Sequence, residues 1–309
     1  MMTLLVDQRS LAVWLAVHAV LTLWACGALG QQQADPEFDA KVASPTYADN
    51  GPRVLFDKAH HNFHTANGRY KPFADLITND GYRVTPNTDK FTPEKLAGCD
   101  ILVIANALGA QSMSSEAAQD PAFTEAECDA VRDWVRSGGS LLLVTDHYPT
   151  GSAAEILGQR FGVQMSKGGT AEFQFTRGGT YALAAEHPIM GGRSAEEEIR
   201  KVMTFSGQSL QGPPDSVNLL ALPADAKERT PDPQDPHHGK PREGTVVYRS
   251  QGLALTLGKG RVVVLGEAAM FSAQVADDEQ FGMNVPGIDN RQLALNTMHW
   301  LSGLLNDGK

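Results

Sequence analysis

The chain has 309 residues, 42% hydrophobic, 20% charged and 7% aromatic, and 26 Lys and Arg against 36 Asp and Glu leave a formal charge of −10. That length fits one large α/β domain or two small ones, either able to bury a core without disulfide staples. The acid excess excludes a general nucleic-acid binder, because no Lys and Arg cluster is present to hold a phosphate backbone, and small molecules, glycans or proteins are the expected partners. A single long apolar run excludes a polytopic membrane protein.

That run, Leu11 to Leu29, follows Arg9, is interrupted by His18 and gives way to Gln31, Gln32 and Gln33. The layout predicts a signal peptide over residues 1–30, with Ala28, Leu29 and Gly30 as the small-x-small cleavage pattern and an extracytoplasmic mature protein, secreted or periplasmic. Two alternatives stay open. Leu23 to Gly27 resembles a lipobox in which Cys26 would be acylated, giving a lipid anchor, and the run could also remain as an uncleaved anchor. Residues 1–30 hold one acid, Asp7, and one base, Arg9, so the charge of −10 belongs to the remainder. Cys99 and Cys128 then remain, too few for a disulfide framework although a secreted chain could pair them.

From Arg53 short apolar runs alternate with capped amphipathic stretches, the pattern of βαβ units around a parallel sheet. Val54 to Phe56 predicts the first strand; Tyr70, Phe73, Leu76 and Ile77 fall at helical spacing and stop at Gly81. Tyr82 to Val84 resumes extended structure, Thr92 caps a short helix at Pro93, and Ile101 to Ala105 suits a central strand. Thr124 and Glu127 form a capping box, with Cys128, Val131, Trp134 and Val135 on one helix face and Gly138 and Gly139 ending it before a strand at Leu141 to Thr145. Ser152 and Glu155 predict a second capping box. The last unit is a strand at Arg261 to Leu265 and a helix from Asn290 to Leu305, its buried face bearing Leu293, Thr297, Trp300, Leu301 and Leu304. A single domain thus spans residues 50–305. Residues 164–250 predict a β-rich insertion, with strand-like pieces at Tyr181 to Leu183, Val202 to Phe205 and Thr245 to Arg249, and the Pro-rich stretch 229–243 predicts a mobile loop.

In an open parallel sheet, ligands bind beyond the carboxyl ends of the strands. Three predicted strand ends carry chemistry there: Asp57, His60, His61, Asn62 and His64; then Asp146, His147 and Tyr148; then Glu267. Imidazoles with carboxylates are ligands for a divalent metal, which makes His60, His64, Asp146 and Glu267 a candidate metal set, although no strong metal motif such as HExxH is present. Without a metal, Asp57, Asp146 and Glu267 could orient His61 or His147 as a general base. A third reading has these groups only shaping a polar pocket, with Asp57, Asn62, Tyr148, Ser206 and Gln208 as its lining. The helix expected at Ser152 would point free N–H groups at the same place. His237 and His238 read as solvated, His187 as marking an extended turn before Pro188, and His299 as a helix boundary residue. No glycine run has dinucleotide or Walker spacing.

The order strand at Val54, strand at Ile101, helix at Thr124, Gly138-Gly139, strand at Leu141 resembles the class I glutamine amidotransferase-like superfamily. It is most similar to the uncharacterised secreted bacterial branch, through Asp57 to His60 (Asp-x-x-His) and Gly266 to Ala269 (Gly-Glu-Ala-Ala). The resemblance implies a flavodoxin-like parallel sheet with helices on both faces. It also implies a nucleophile at the tip Val144 to Pro149, where an amidotransferase needs a Cys and this chain has Asp146. Cys99 and Cys128 fall elsewhere and no G-x-S-x-G occurs, so glutamine hydrolysis is not expected. Two functions remain in view: a hydrolase of small polar or glycan-type substrates using His60, His61, His64, Asp146, His147 and Glu267, and a non-catalytic domain that binds a ligand or a protein in the same crevice.

Overall fold

Apolar runs too short for helices, Val54 to Phe56, Ile101 to Ala105 and Leu141 to Val144, are buried on both sides as strands, as a parallel sheet covered on both faces requires. The computed structural model describes residues 32–277 and 279–306; the expected leader, with Cys26, lies outside them. In chain order the main elements are β1 (Arg53–Asp57), α1 (Lys71–Asn79), β2 (Arg83–Asn87), α2 (Pro93–Leu96), β3 (Ile101–Ala105), α3 (Glu125–Ser137), β4 (Ser140–Val144) and α4 (Thr150–Gln159). There follow β5 (Phe173–Thr176), β6 (Ala182–Leu183), β7 (Lys201–Thr204), β8 (Val217–Ala221), β9 (Ser250–Leu257), β10 (Gly260–Leu265) and α5 (Asn290–Leu301).

The fold is mixed α/β around one large sheet, whose strand order is β7-β5-β6-β8-β9-β10-β4-β3-β1-β2. Strands β2, β1, β3, β4 and β10 run parallel. Pro86 is accommodated because β2 is an edge strand, where a missing N–H costs no ladder bond. From β9 outward the pairing turns antiparallel except between β5 and β6, which pair parallel, so much of residues 164–250 continues the same sheet. One sheet face, with Val54, Phe56, Val103, Leu142 and Val263, packs on Phe73, Leu76 and Ile77 of α1 and Leu293, Met298 and Leu301 of α5. The other, with Leu55, Leu102, Ile104, Leu143 and Val264, packs on Cys128, Val131 and Val135 of α3 and Leu157 of α4. Among the described residues no helix is long and apolar enough to cross a membrane.

Four local expectations are corrected. Helix α4 opens at Thr150 behind Pro149 with no side-chain cap, so Ser152 lies inside the helix and caps nothing. Thr150 Oγ1 takes over the local work, accepting from Asp146 N and donating to His147 O, each at 3.0 Å. Residues 246–249 link two strands, Arg242–Thr245 and Ser250–Leu257, and form none themselves. Helix α5 stops at Leu301 because Gly303 turns the chain at φ +80°, which leaves Leu304 exposed while Leu305 is buried. Within α5, His299 is no boundary residue: its Nε2 lies 2.7 Å from Asp80 Oδ2, both side chains buried. These positions make a paired test. Trp300→Ala, removing a side chain only 1% exposed, is expected to cost about 3–5 kcal/mol in urea unfolding, while Leu304→Ala stays within about 0.5 kcal/mol. Equal effects would mean that the helix continues past Leu301.

Candidate functional site

The loops leaving β1, β3, β4, β7 and β10 meet at one end of the sheet and enclose a cavity of about 260 Å³. Its wall includes His64 from the first loop, Asn106 from the second, Asp146, His147 and Thr150 from the third, and Ser206 and Ala269 from the last two. A larger space of about 510 Å³, lined by Glu186, His187, Asp215 and Thr256 among others, lies at the opposite end of the sheet. The strand-tip cavity is the one on which titratable groups from separate strands converge, which marks a functional site better than volume does.

The Asp146-His147 segment is held rigidly. Asp146 Oδ1 accepts from His147 N at 2.7 Å and Oδ2 from Ala268 N at 3.2 Å. Gln208, fully buried, donates from Nε2 to Asp146 O at 2.8 Å and accepts from Lys167 N at 2.8 Å, so it braces the tip from behind. His147 Nδ1 lies 2.7 Å from the Tyr148 carbonyl. A carbonyl only accepts, so Nδ1 carries the proton and Nε2 is the basic nitrogen, 3.7 Å from Asp146 Oδ1.

Across the cavity His64 is buried, and its Nδ1 accepts from Asn106 Nδ2 at 3.0 Å, which leaves the hydrogen on Nε2. Burial, reinforced by the Arg69 charge, pushes its pKa down to about 3, so the ring is a neutral donor at ordinary pH. Asn106 sits at φ +47° directly after β3. Tyr70 donates to Ala268 O at 2.6 Å, tying α1 to the loop after β10.

Several sequence expectations meet a different geometry. Glu267 lies behind the wall, fully buried, with its carboxylate accepting from Ala269 N at 2.8 Å and Met270 N at 2.7 Å. Burial, then the Asp146 charge, drives its pKa well above the carboxylate range; it shapes the loop and does not line the cavity. His60 is also withdrawn. Its Nδ1 donates to Asp57 Oδ2 and its Nε2 to Glu127 Oε1, each at 2.9 Å, while the Phe91 and Phe123 rings flank it at 4.7 Å. Burial opposes its charge, but the hydrogen bonds and charges of Asp57 and Glu127 outweigh that and raise its pKa. With both nitrogens committed His60 has no lone pair for a metal, and among the described residues no group of three or more His, Cys, Asp or Glu is arranged to hold one. His61 is turned out at φ +49° and is exposed, so it does not join the site. Asn62 serves the loop, accepting from His60 N at 3.1 Å. Tyr148 leaves the cavity for the Pro-rich segment, its Oη 3.3 Å from His237 Nδ1. There His147, Tyr148 and Ser206 line a second space of about 390 Å³ with Pro231, Pro236 and Pro241. Cys99 and Cys128 are free and buried, and burial pushes each thiol up to about 12.

Sequence reasoning missed Arg69 and Asn106, and read Glu127 as a helix cap, which it is, without its link to His60. Asn106 directly follows a predicted strand, so the strand-end rule itself could have found it; Arg69, ahead of a helix, gave no signal. Gly207 is a hidden support. At φ +97° any side chain is strained there, and a Cβ would overlap the Gly266 carbonyl oxygen and approach Glu267 Cβ to 2.7 Å. Gly207→Ala is therefore expected to lose about 1–3 kcal/mol by urea unfolding and to displace the loop bearing Ser206; wild-type stability would refute that role.

No protein-family model matches the chain, and no curated protein does. Among solved structures, the mmIFT52 N-terminal domain is similar at 15% identity, over 81% of this chain and 97% of that one, with a TM-score of 0.55. ThuA-like proteins from Parabacteroides merdae (11% identity, 84% of this chain and 93% of that one, TM-score 0.48) and Bacteroides uniformis (14%, 86% and 95%, TM-score 0.43) are also similar. At these identities the likeness is one of fold, and the site has to be read from its own residues.

Proposed function

We propose that this chain is an extracytoplasmic hydrolase of small polar or glycan-type substrates, acting in the strand-tip cavity with His147 as general base, and that it is not a glutamine amidotransferase. The observation that carries the reading is the His147 orientation: Nδ1–H is spent on the Tyr148 carbonyl, so Nε2 is the nitrogen left to exchange a proton, 3.7 Å from a carboxylate. Water bound there gives a proton to Nε2 while its oxygen bonds to an acyl or glycosyl carbon. Asp146 stabilises the imidazolium, and His147 returns the proton to the leaving group as its bond breaks. The His64 Nε2–H, on a neutral ring across the cavity, is suited to the oxygen on which negative charge develops.

The parallel order β2-β1-β3-β4-β10 supports a flavodoxin-like scaffold of the class I glutamine amidotransferase-like kind, and Asp146 at the tip after β4 supports the secreted branch without the cysteine nucleophile. Export rests on the sequence of residues 1–30. The test is a screen of acylated and glycosidic sugar derivatives with wild type and His147→Ala. Turnover lost in the variant supports the reading, and turnover equal in both refutes it. Binding without turnover in the wild type would favour the non-catalytic domain.

A further inference from the structure

The same cavity holds a cation that no acid among the described residues pairs with. Arg53, Arg132, Arg160, Arg193 and Arg242 each meet a carboxylate, while Arg83, Arg136, Arg249, Arg261 and Arg291, all outside the cavity, meet none among the described residues. Arg69, on the cavity wall, has none among the described residues, in a chain whose formal charge is −10. Its guanidinium stacks 4.4 Å over the Phe63 ring, and Nη1 reaches only two amide oxygens, Gln32 Oε1 at 3.3 Å and Gln274 Oε1 at 3.4 Å. An arginine planted against an aromatic face and left without a counter-ion is preorganised for a planar anion. Two neighbours extend the pattern. His64 offers a donor, its Nε2–H, and buried Asn106 Oδ1 has no hydrogen-bond donor among the described residues, so a ligand hydroxyl would satisfy it. A space of about 260 Å³ falls just below the roughly 300–1,000 Å³ of ordinary ligand pockets, which suits one sugar ring. Asp146 on the wall disfavours a dianion and makes a single carboxylate the better match than a phosphate.

We propose that the cavity selects a small hydroxylated carboxylic acid, a sugar acid of the uronate type, with its carboxylate on Arg69 and a hydroxyl toward Asn106. This deepens the hydrolase reading and rests on it for the chemistry, while acid recognition is separately measurable. Titration calorimetry of the mature protein with D-glucuronate, D-glucose and acetate tests it. Glucuronate is expected to bind about tenfold or more tighter than either glucose or acetate, and Arg69→Met to erase that margin. Arg69→Lys should restore part of it, which separates a lost charge from a lost fold. His61→Ala, which removes an exposed ring that does not line the cavity, should bind glucuronate within about twofold of wild type. Equal affinities for glucose and glucuronate, no glucuronate binding, or an unchanged margin in Arg69→Met would overturn the proposal. Acid-selective binding without any turnover would sink the hydrolase reading and leave this one standing; turnover indifferent to a substrate carboxylate would do the reverse.

Discussion

Replacing His60 with leucine is expected to destabilise the protein by about 3–5 kcal/mol, because it leaves two buried carboxylates facing each other without the cation between them. Asp57 and Glu127 are both almost fully buried. Glu127 has further partners in Phe91 N and the Thr124 cap, so it cannot swing out to solvent without undoing the start of α3. A variant that also carries Asp57→Asn and Glu127→Gln is expected to recover part of the loss, since neutral groups need no counter-ion. The pH dependence has two sides. Burial works against the Glu127 charge, but its hydrogen bonds to Thr124 and His60 and the His60 charge bring its pKa to about 2, from an ordinary 4.5. Its contribution is full above about 4.5 and drains away as pH falls toward 2. His60 is raised above its ordinary 6.5, so its contribution is full below that value and is lost as pH rises through the higher native one. Urea midpoints across pH should therefore fall on both sides in wild type and flatten in the triple variant; identical profiles would contradict the bridge.

The second large effect falls on chemistry and spares the fold. His147→Ala is expected to lower kcat/KM by about 10²–10⁴, the range for losing a positioned base. Its side chain is 44% exposed, so stability should move by no more than about 0.5 kcal/mol. His61→Ala, by contrast, should leave turnover unchanged, since that ring is exposed and does not line the cavity. A loss in His61→Ala equal to that in His147→Ala would reverse the assignment.

The fold was legible where local pattern and burial coincide. Ile101 to Ala105, the Thr124-Glu127 cap and the Gly138 stop each have one low-energy solution, and the strand-end rule pointed to His64, Asp146 and His147. What stayed hidden was long-range. Glu127 explains itself fully as a capping residue, so nothing local marks it as the partner of His60, 67 positions away. His60, His61 and His64 look alike in sequence. A left-handed turn at His61 and the pull of Asp57 on His60 then leave only His64 on the cavity. Glu267 follows a strand as a site residue should, yet the next backbone amides enclose it. Apolar spacing continues through Leu304, but only the Gly303 turn fixes where the helix ends.

The proton transfer proposed for His147 Nε2 in the strand-tip cavity can be restored from outside: imidazole is added to His147→Ala during turnover of a substrate that the wild type hydrolyses. The expected result is a deficient variant whose rate rises saturably with imidazole while the wild type is indifferent to it. A variant as fast as wild type without imidazole would contradict the claim.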